Sequence, residues 1–205
     1  MPSDTIERQL ILASSSPRRK YLLEQAGLIF DVIPSTVDEK NMIADSPEDH
    51  ARRLAEIKAG AVARLYPNAH VIGADTIVVI EDMILGKPAS KAEASDMLKR
   101  LSGRTHVVLT GYAVRCNRSF YLYSETISTS VRFKSLTDRE IEWYLKTKEP
   151  FDKAGGYAIQ GKGAFMVRRI TGSYTNVVGL PMSEVIDCLA RIDVAVHLRR
   201  KHLEL

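Results

Sequence analysis

Apolar and polar positions divide the chain into short strands and amphipathic helices in alternation. Leu10-Ile11-Leu12-Ala13 is a compact apolar run that halts at three serines, and Pro17 then opens a segment whose Leu22, Leu23 and Ala26 share one stripe. Strand, loop and helix follow from this. Ser16 is placed as the N-cap, Pro17 presets φ at the first helical position, and Gly27 can take the left-handed conformation that ends a helix. Ser46, Pro47 and Asp49 repeat the start signal for a second helix, with Ala51, Leu54, Ala55, Ala61, Val62 and Leu65 on its apolar stripe. Lys58 falls on the same stripe. Residues 71–80 are a nearly unbroken apolar run rich in β-branched side chains, as in a strand covered on both faces, and Asp75 and Thr76 interrupt it.

A turn near Asp82 and the pair Ile84-Leu85 predict a hairpin, and Ser90 with Glu93 predicts a capping box for a helix closing at Gly103. Strands over 106–115 and 121–133 flank the Asn117-Arg118 turn. The second alternates Tyr121, Tyr123, Ile127, Val131 and Phe133 with polar neighbours, the pattern of an antiparallel, half-exposed pair. Thr137 with Glu140 starts another helix, which must stop before Pro150. The glycine-rich stretch 152–163 reads as an ordered loop, a strand follows over 165–170, and a last helix runs from about Pro181 to Arg191. No internal repeat, low-complexity linker or composition shift marks a boundary, so residues 1–205 are read as one α/β domain with a mixed sheet.

Composition narrows the class of protein. With 45% hydrophobic and 26% charged residues, the 205-residue chain is ordinary for a soluble globular protein and is long enough for one sizeable domain or two lobes sharing a core. Its net charge of +4 is dispersed, with a cluster only at Arg199, Arg200, Lys201 and His202, read as a solvated terminus. Such a balance suits a phosphorylated ligand better than a dedicated nucleic-acid face, which gathers its basic residues. Cys116 and Cys188 are too few for a disulfide framework or a cysteine zinc site, and read as reduced interior residues. The start carries no secretion signal and no run approaches the roughly 20 apolar residues that span a bilayer, so a cytoplasmic protein is expected.

The junction after the first strand gathers the chemistry. Free backbone N–H groups, the hydroxyls of Ser14, Ser15 and Ser16, and the guanidiniums of Arg18 and Arg19 meet at a helix N-terminus, where the helix dipole and arginine forks favour phosphate. The alternative is an ordinary capped helix with solvated arginines, but two cations in a first turn oppose the dipole and ask for a nearby anion. No Walker A loop and no dinucleotide-binding glycine fingerprint occurs. Asp75 lies among Val71, Ile72, Ala74, Ile77, Val78 and Val79, where a carboxylate is costly unless paired or bound to metal; an Asp at a strand end or bulge, bonded to local backbone amides, is the alternative. Lys58 either snorkels outward or meets a buried negative charge. Glu39 in a loop and Lys87 in Gly86-Lys87-Pro88 complete an inventory for metal-assisted attack on a phosphoryl group.

These motifs resemble the Maf family of nucleotide pyrophosphatases along nearly the whole chain. The resemblance rests on Leu12 to Arg19, Val37 to Glu39, Gly73 to Thr76, Gly86 to Pro88, Leu101 to His106, Asp152 to Gly161, and Gly172-Ser173-Tyr174 with Val178 to Pro181, in that order. It implies an α/β fold with a mixed, strongly twisted sheet flanked by helices, in two lobes around a central cleft, usually dimeric. The implied activity hydrolyses nucleoside triphosphates to monophosphate and pyrophosphate with a divalent cation, Mg²⁺ or Mn²⁺. The implied base and metal ligand is Asp75, with Glu39 as second metal ligand and Ser16, Arg19, Lys58 and Lys87 around the phosphates. The family's pyrimidine branch, acting on dTTP and UTP, is marked at positions equivalent to Arg18, Thr76 and Gln160, and all three here match it. For Gln160 a physical reason exists, since its amide offers the donor and acceptor that the imide edge of uracil or thymine requires. A 7-methyl-GTP-type pyrophosphatase and a non-catalytic nucleotide- or nucleic-acid-binding regulator are the competing readings; no stable nucleic-acid complex and a homodimer are expected.

Overall fold

Seven strands form one mixed sheet in the computed structural model, which describes residues 9–38, 44–192 and 194. They are β1 (Leu10–Leu12), β2 (Asp31–Val32), β3 (His70–Ile80), β4 (Met83–Leu85), β5 (Thr105–Cys116), β6 (Tyr121–Phe133) and β7 (Val167–Thr171). The order across the sheet is β2-β1-β3-β5-β6-β7, with β4 paired to the far end of β3. β2, β1 and β3 run parallel, and the remaining pairs are antiparallel. Glu81 (φ 49°) and Asp82 (φ 61°) form the two-residue turn between β3 and β4, both with the positive φ that suits the twist of a hairpin.

Helices cover both faces: α1 (Pro17–Gln25), α2 (Pro47–Leu65), α3 (Lys91–Leu101), α4 (Asp138–Leu145), α5 (Tyr174–Val178) and α6 (Met182–Arg191). Strand alternation decides which core each residue joins. Ile11, Val71 and Ala113 pack with Ala55, Ala59 and Val62 of α2 on one face. Leu10, Leu12, Ile72, Ala74, Tyr112 and Val114 pack with Leu22 and Leu23 of α1 and Val185 and Leu189 of α6 on the other. A third cluster joins the far end of β3 and Phe133 to α3 and α4.

The α2 contact is backbone against backbone. A Cβ added at Gly73 would lie 2.2 Å from the Ala55 carbonyl oxygen, and one at Gly111 would lie 2.2 Å from that of Ala51. Glycines on adjacent strands β3 and β5, facing alanines spaced by one helical turn, let the helix settle onto the sheet.

Three departures from the sequence expectations have local causes. β5 is buried on both faces because α2 covers one side and α6 the other, so only β6 is the half-exposed member of the pair. The expected strand over 165–170 starts at Val167, because Gly161–Met166 first winds as a 3-10 helix, with the Lys162 N–H donating to Glu149 Oε1 (3.1 Å). Helix α5 was not foreseen: five residues capped by Ser173 are too few to show a stripe. Cys116 and Cys188 are buried and free, as expected.

Candidate active site

β1 ends at Leu12, opposite Ile72, and β4 begins pairing at Leu85, opposite Val78. Along that edge, residues 73–77 of β3 have no strand partner. A cleft of about 550 Å³ opens at the gap, lined by residues 13–19, Lys58, Asp75–Val78, Lys87, parts of 152–160 and residues 177–179. Ligand sites in sheets with parallel strands lie outside their carboxyl ends, and this cleft does so for β1.

Asp75 sits in the middle of β3, paired in register with Gly111, so the strand-end or bulge alternative does not hold. Alternation turns its side chain to the α2 face, where Lys58 Nζ donates to Asp75 Oδ1 at 2.7 Å. Each side chain is 12% exposed. Lys58 therefore meets the buried carboxylate and does not snorkel. A pair this deep orients both groups, and removal of either member leaves the other desolvated without its charge partner.

Arg19 is engaged more deeply than its sequence position indicates. Its Nε donates to the Gly179 carbonyl (2.8 Å), its Nη1 to the Ala74 carbonyl (2.9 Å) and Ser14 Oγ (3.1 Å), and its Nη2 to Thr76 Oγ1 (3.1 Å). The guanidinium thus caps the Ala74 carbonyl in the gap along β3 and ties α1 to the end of α5. Arg18 donates to Asp152 Oδ2 (3.1 Å). Burial alone would raise the Asp152 carboxyl, yet hydrogen bonds and charge from Lys153 and Arg18 hold it below the usual carboxylate range. The two first-turn cations are therefore met by protein oxygens, and their placement does not by itself demand a bound phosphate. The helix end keeps its own anion-directed features: Ser16 caps α1 by accepting from the Arg19 N–H (3.4 Å), Ser14, Ser15 and Ser16 all line the cleft, and the first turn holds no acidic residue.

Lys87 lines the opposite rim on the turn after β4, held against the glycine-rich segment by the Gly155 N–H bond to the Gly86 carbonyl (3.0 Å). Thr76 and Gln160 also line the cleft. The fold thus brings Ser16, Arg18, Arg19, Lys58, Asp75, Thr76, Lys87 and Gln160 to one cavity; Glu39 and the basic cluster 199–202 lie outside the described residues. Sequence reasoning missed His50 and Lys153 as lining residues. The signal for His50 was present, because His50, Leu54 and Lys58 follow at intervals of four on one helix face. Lys153, with a side chain 12% exposed, donates to the Glu149 carbonyl and to Asp152.

Among the described residues no three His, Cys, Asp or Glu side chains gather to cage a metal. Among the described residues the cleft is lined by two carboxylates, Asp75 and the Asp152 that is paired with Arg18 and Lys153, beside a surface for phosphate. That donor set fits a hard cation such as Mg²⁺, which commonly takes one or two carboxylates and fills its shell with substrate phosphates and water. No described helix is long and apolar enough to cross a membrane.

Fold and site together define an α/β protein with a mixed sheet, whose cleft opens where parallel strands part and pairs a buried carboxylate with surrounding cations. Residues 9–192 match the family model described as Maf-like protein, and the chain belongs to that family. It is 50% identical over 184 residues to the dTTP/UTP pyrophosphatase of Syntrophus aciditrophicus, covering 90% of each chain. With the dTTP/UTP pyrophosphatase of Symbiobacterium thermophilum it shares 52% identity over 185 residues, covering 90% of this chain and 94% of that one. Among solved structures it is similar to the Staphylococcus aureus Ham1 protein, at 14% identity and a TM-score of 0.46 over 78% of this chain and 80% of that chain.

Proposed function

We propose that the protein hydrolyses dTTP and UTP, or modified pyrimidine triphosphates, to the monophosphate and pyrophosphate by attack of water on the α-phosphorus. The observation that carries this reading is the Lys58–Asp75 pair, set inside a cleft that is also lined by a serine-rich helix start and by Lys87 and Lys153. Relatives about half identical over nine-tenths of the chain, described by that activity, support the same substrate class.

Asp75, whose Oδ1 accepts from Lys58, takes the proton of the attacking water on its other carboxylate oxygen. Lys58 holds that carboxylate in position and, with Lys87, opposes the charge that develops as pyrophosphate leaves. Ser16 and the first-turn amides of α1 receive phosphate oxygens, while Arg19 holds that helix end against β3. Arg18, Thr76 and Gln160 meet the base. When bound, Mg²⁺ or Mn²⁺ neutralises phosphate charge and polarises the reacting centre; Asp75 and Glu39 are the proposed ligands. A single domain of two lobes around the cleft, a homodimer and a cytoplasmic setting complete the proposal. The last is supported by two free, buried cysteines, and the other two by family resemblance.

A panel of nucleoside triphosphates, ranked by kcat/KM for pyrophosphate release with Mg²⁺ and with chelator, tests the reading. UTP and dTTP should lead the ranking, and chelation should abolish turnover. A lead for 7-methyl-GTP would move the substrate to the methylated purine class. No release from any triphosphate, together with salt-sensitive DNA binding, would replace the enzyme with a regulator.

A further inference from the structure

A chain of buried hydroxyls runs from the cleft into the core, and its direction can be read bond by bond. Thr76 and Thr110 lie opposite each other in the β3–β5 register, with their Oγ1 atoms 3.0 Å apart. Thr110 Oγ1 lies 3.0 Å from the Asn176 carbonyl oxygen, which can only accept, so the Thr110 proton points there. That leaves the Thr110 oxygen to accept, and the Thr76 proton points into the core. The competing acceptor for Thr76, the Gly179 carbonyl, is more distant at 3.5 Å. On its other side Thr76 Oγ1 accepts from Arg19 Nη2 (3.1 Å).

The far end of the chain is fixed. Asn176 is fully buried, and its Nδ2 donates to the Val108 carbonyl (3.2 Å) and to Thr129 Oγ1 (2.9 Å). Thr129 Oγ1 also accepts from the Ser173 N–H (3.1 Å), the residue that caps α5. The Asn176 carbonyl is therefore held by a helix pinned to β5 and β6, and Thr110, also fully buried, has no solvent route to another arrangement. Both hydroxyl protons are committed inward.

From this we propose that Thr110, backed by Asn176, is a positioning residue that turns Thr76 into a hydrogen-bond acceptor towards the cleft and so selects bases carrying an N–H at the ring position facing it. With its proton spent on Thr110 and one lone pair on Arg19, the Thr76 oxygen keeps one lone pair for a ligand. Uracil and thymine carry a donor, N3–H, between two carbonyl oxygens. Cytosine carries an unprotonated nitrogen at the same place, and two lone pairs meet. The inference rests on the pyrimidine triphosphatase reading and adds the origin of its discrimination.

The experiment compares UTP and CTP by kcat/KM in wild type, Thr110→Val and Thr110→Ser, with thermal unfolding as the check on folding. Thr110→Val keeps the branched shape but leaves Thr76 only the distant Gly179 carbonyl (3.5 Å) as a protein acceptor, so the hydroxyl can turn to donate to cytosine. The preference for UTP over CTP should fall by about tenfold, the worth of one hydrogen bond, while Thr110→Ser retains it. A preference unchanged in a folded Thr110→Val protein, or lost equally in Thr110→Ser, overturns the inference and leaves the pyrophosphatase reading standing. Should Thr110→Val fail to fold, wild-type protein answers alone: N3-methyl-UTP, which lacks the donor, should be used at least about tenfold less well than UTP, and equal use overturns the inference. Absence of pyrophosphate release by wild type from every pyrimidine triphosphate removes the functional reading itself.

Discussion

His106 lies in β5 with 2% of its surface exposed, its Nε2 bonded to the Tyr157 hydroxyl (2.7 Å) and its ring edge-on to Phe133. Burial pushes its pKa down to about 4 from an ordinary value near 6.5. The unfolded chain therefore binds a proton that the folded one refuses, and the stability held above pH 6.5 is lost as pH falls towards 4. At about 1.4 kcal/mol per unit the loss is roughly 3 kcal/mol. Urea unfolding at pH 7 and pH 4.5 should show a steeper decline for wild type than for His106→Phe, which has nothing to titrate there; equal declines would contradict the assignment. Single residues were legible in the sequence when their chemistry clashed with their neighbours. Asp75 stood out against aliphatic residues and Lys58 against an apolar stripe, and the two proved to be each other's partner. Arg19 was legible as unusual but not in its contacts, because its acceptors on Ala74 and Gly179 are main-chain oxygens that any sequence could supply.

Helix α2 reaches its place through what its partner strands lack. Gly73 and Gly111 read as neutral in any hydrophobic pattern, yet they admit the helix backbone to the sheet and so carry Lys58 to Asp75. Gly111→Ala would put a methyl group 2.2 Å from the Ala51 carbonyl, which can yield only if α2 moves as a whole. Destabilisation of about 3 kcal/mol is expected, measured by denaturant unfolding, with turnover falling further than stability because Lys58 is displaced. Wild-type activity in Gly111→Ala would show that the close approach is dispensable. Helix boundaries were legible where a cap fixed them. Thr137 and Glu140 form the full reciprocal box, whereas Glu93 reaches past its cap to the Ala89 N–H (2.7 Å) and only Ser90 closes its half. The short α5 escaped notice, although Asn176 within it anchors the hydroxyl chain behind Thr76.

At the scale of the whole molecule the cleft exists because β1 stops at Leu12 while β3 continues to Ile80, and no local pattern announces that difference in length. Strand order was equally hidden, since β1 lies between β2 and β3 and the glycine-rich segment 152–160 returns from far along the chain to form a wall. Asp152 ties that wall to Arg18, and the Gly155 N–H ties it to Gly86, so a nucleotide bridging these elements should stabilise the entire fold. At about a hundred times its Kd, a non-hydrolysable UTP analogue with Mg²⁺ should add about 2.7 kcal/mol and raise Tm by roughly 5–10 °C; an equal shift from the CTP analogue at the same concentration would contradict the selection of uracil over cytosine. The most direct test of the account is the turnover of Asp75→Asn on UTP with Mg²⁺, alongside its unfolding curve. A folded protein whose kcat has fallen by about a hundredfold to ten-thousandfold is the predicted result. A folded Asp75→Asn protein that releases pyrophosphate near the wild-type rate would contradict it.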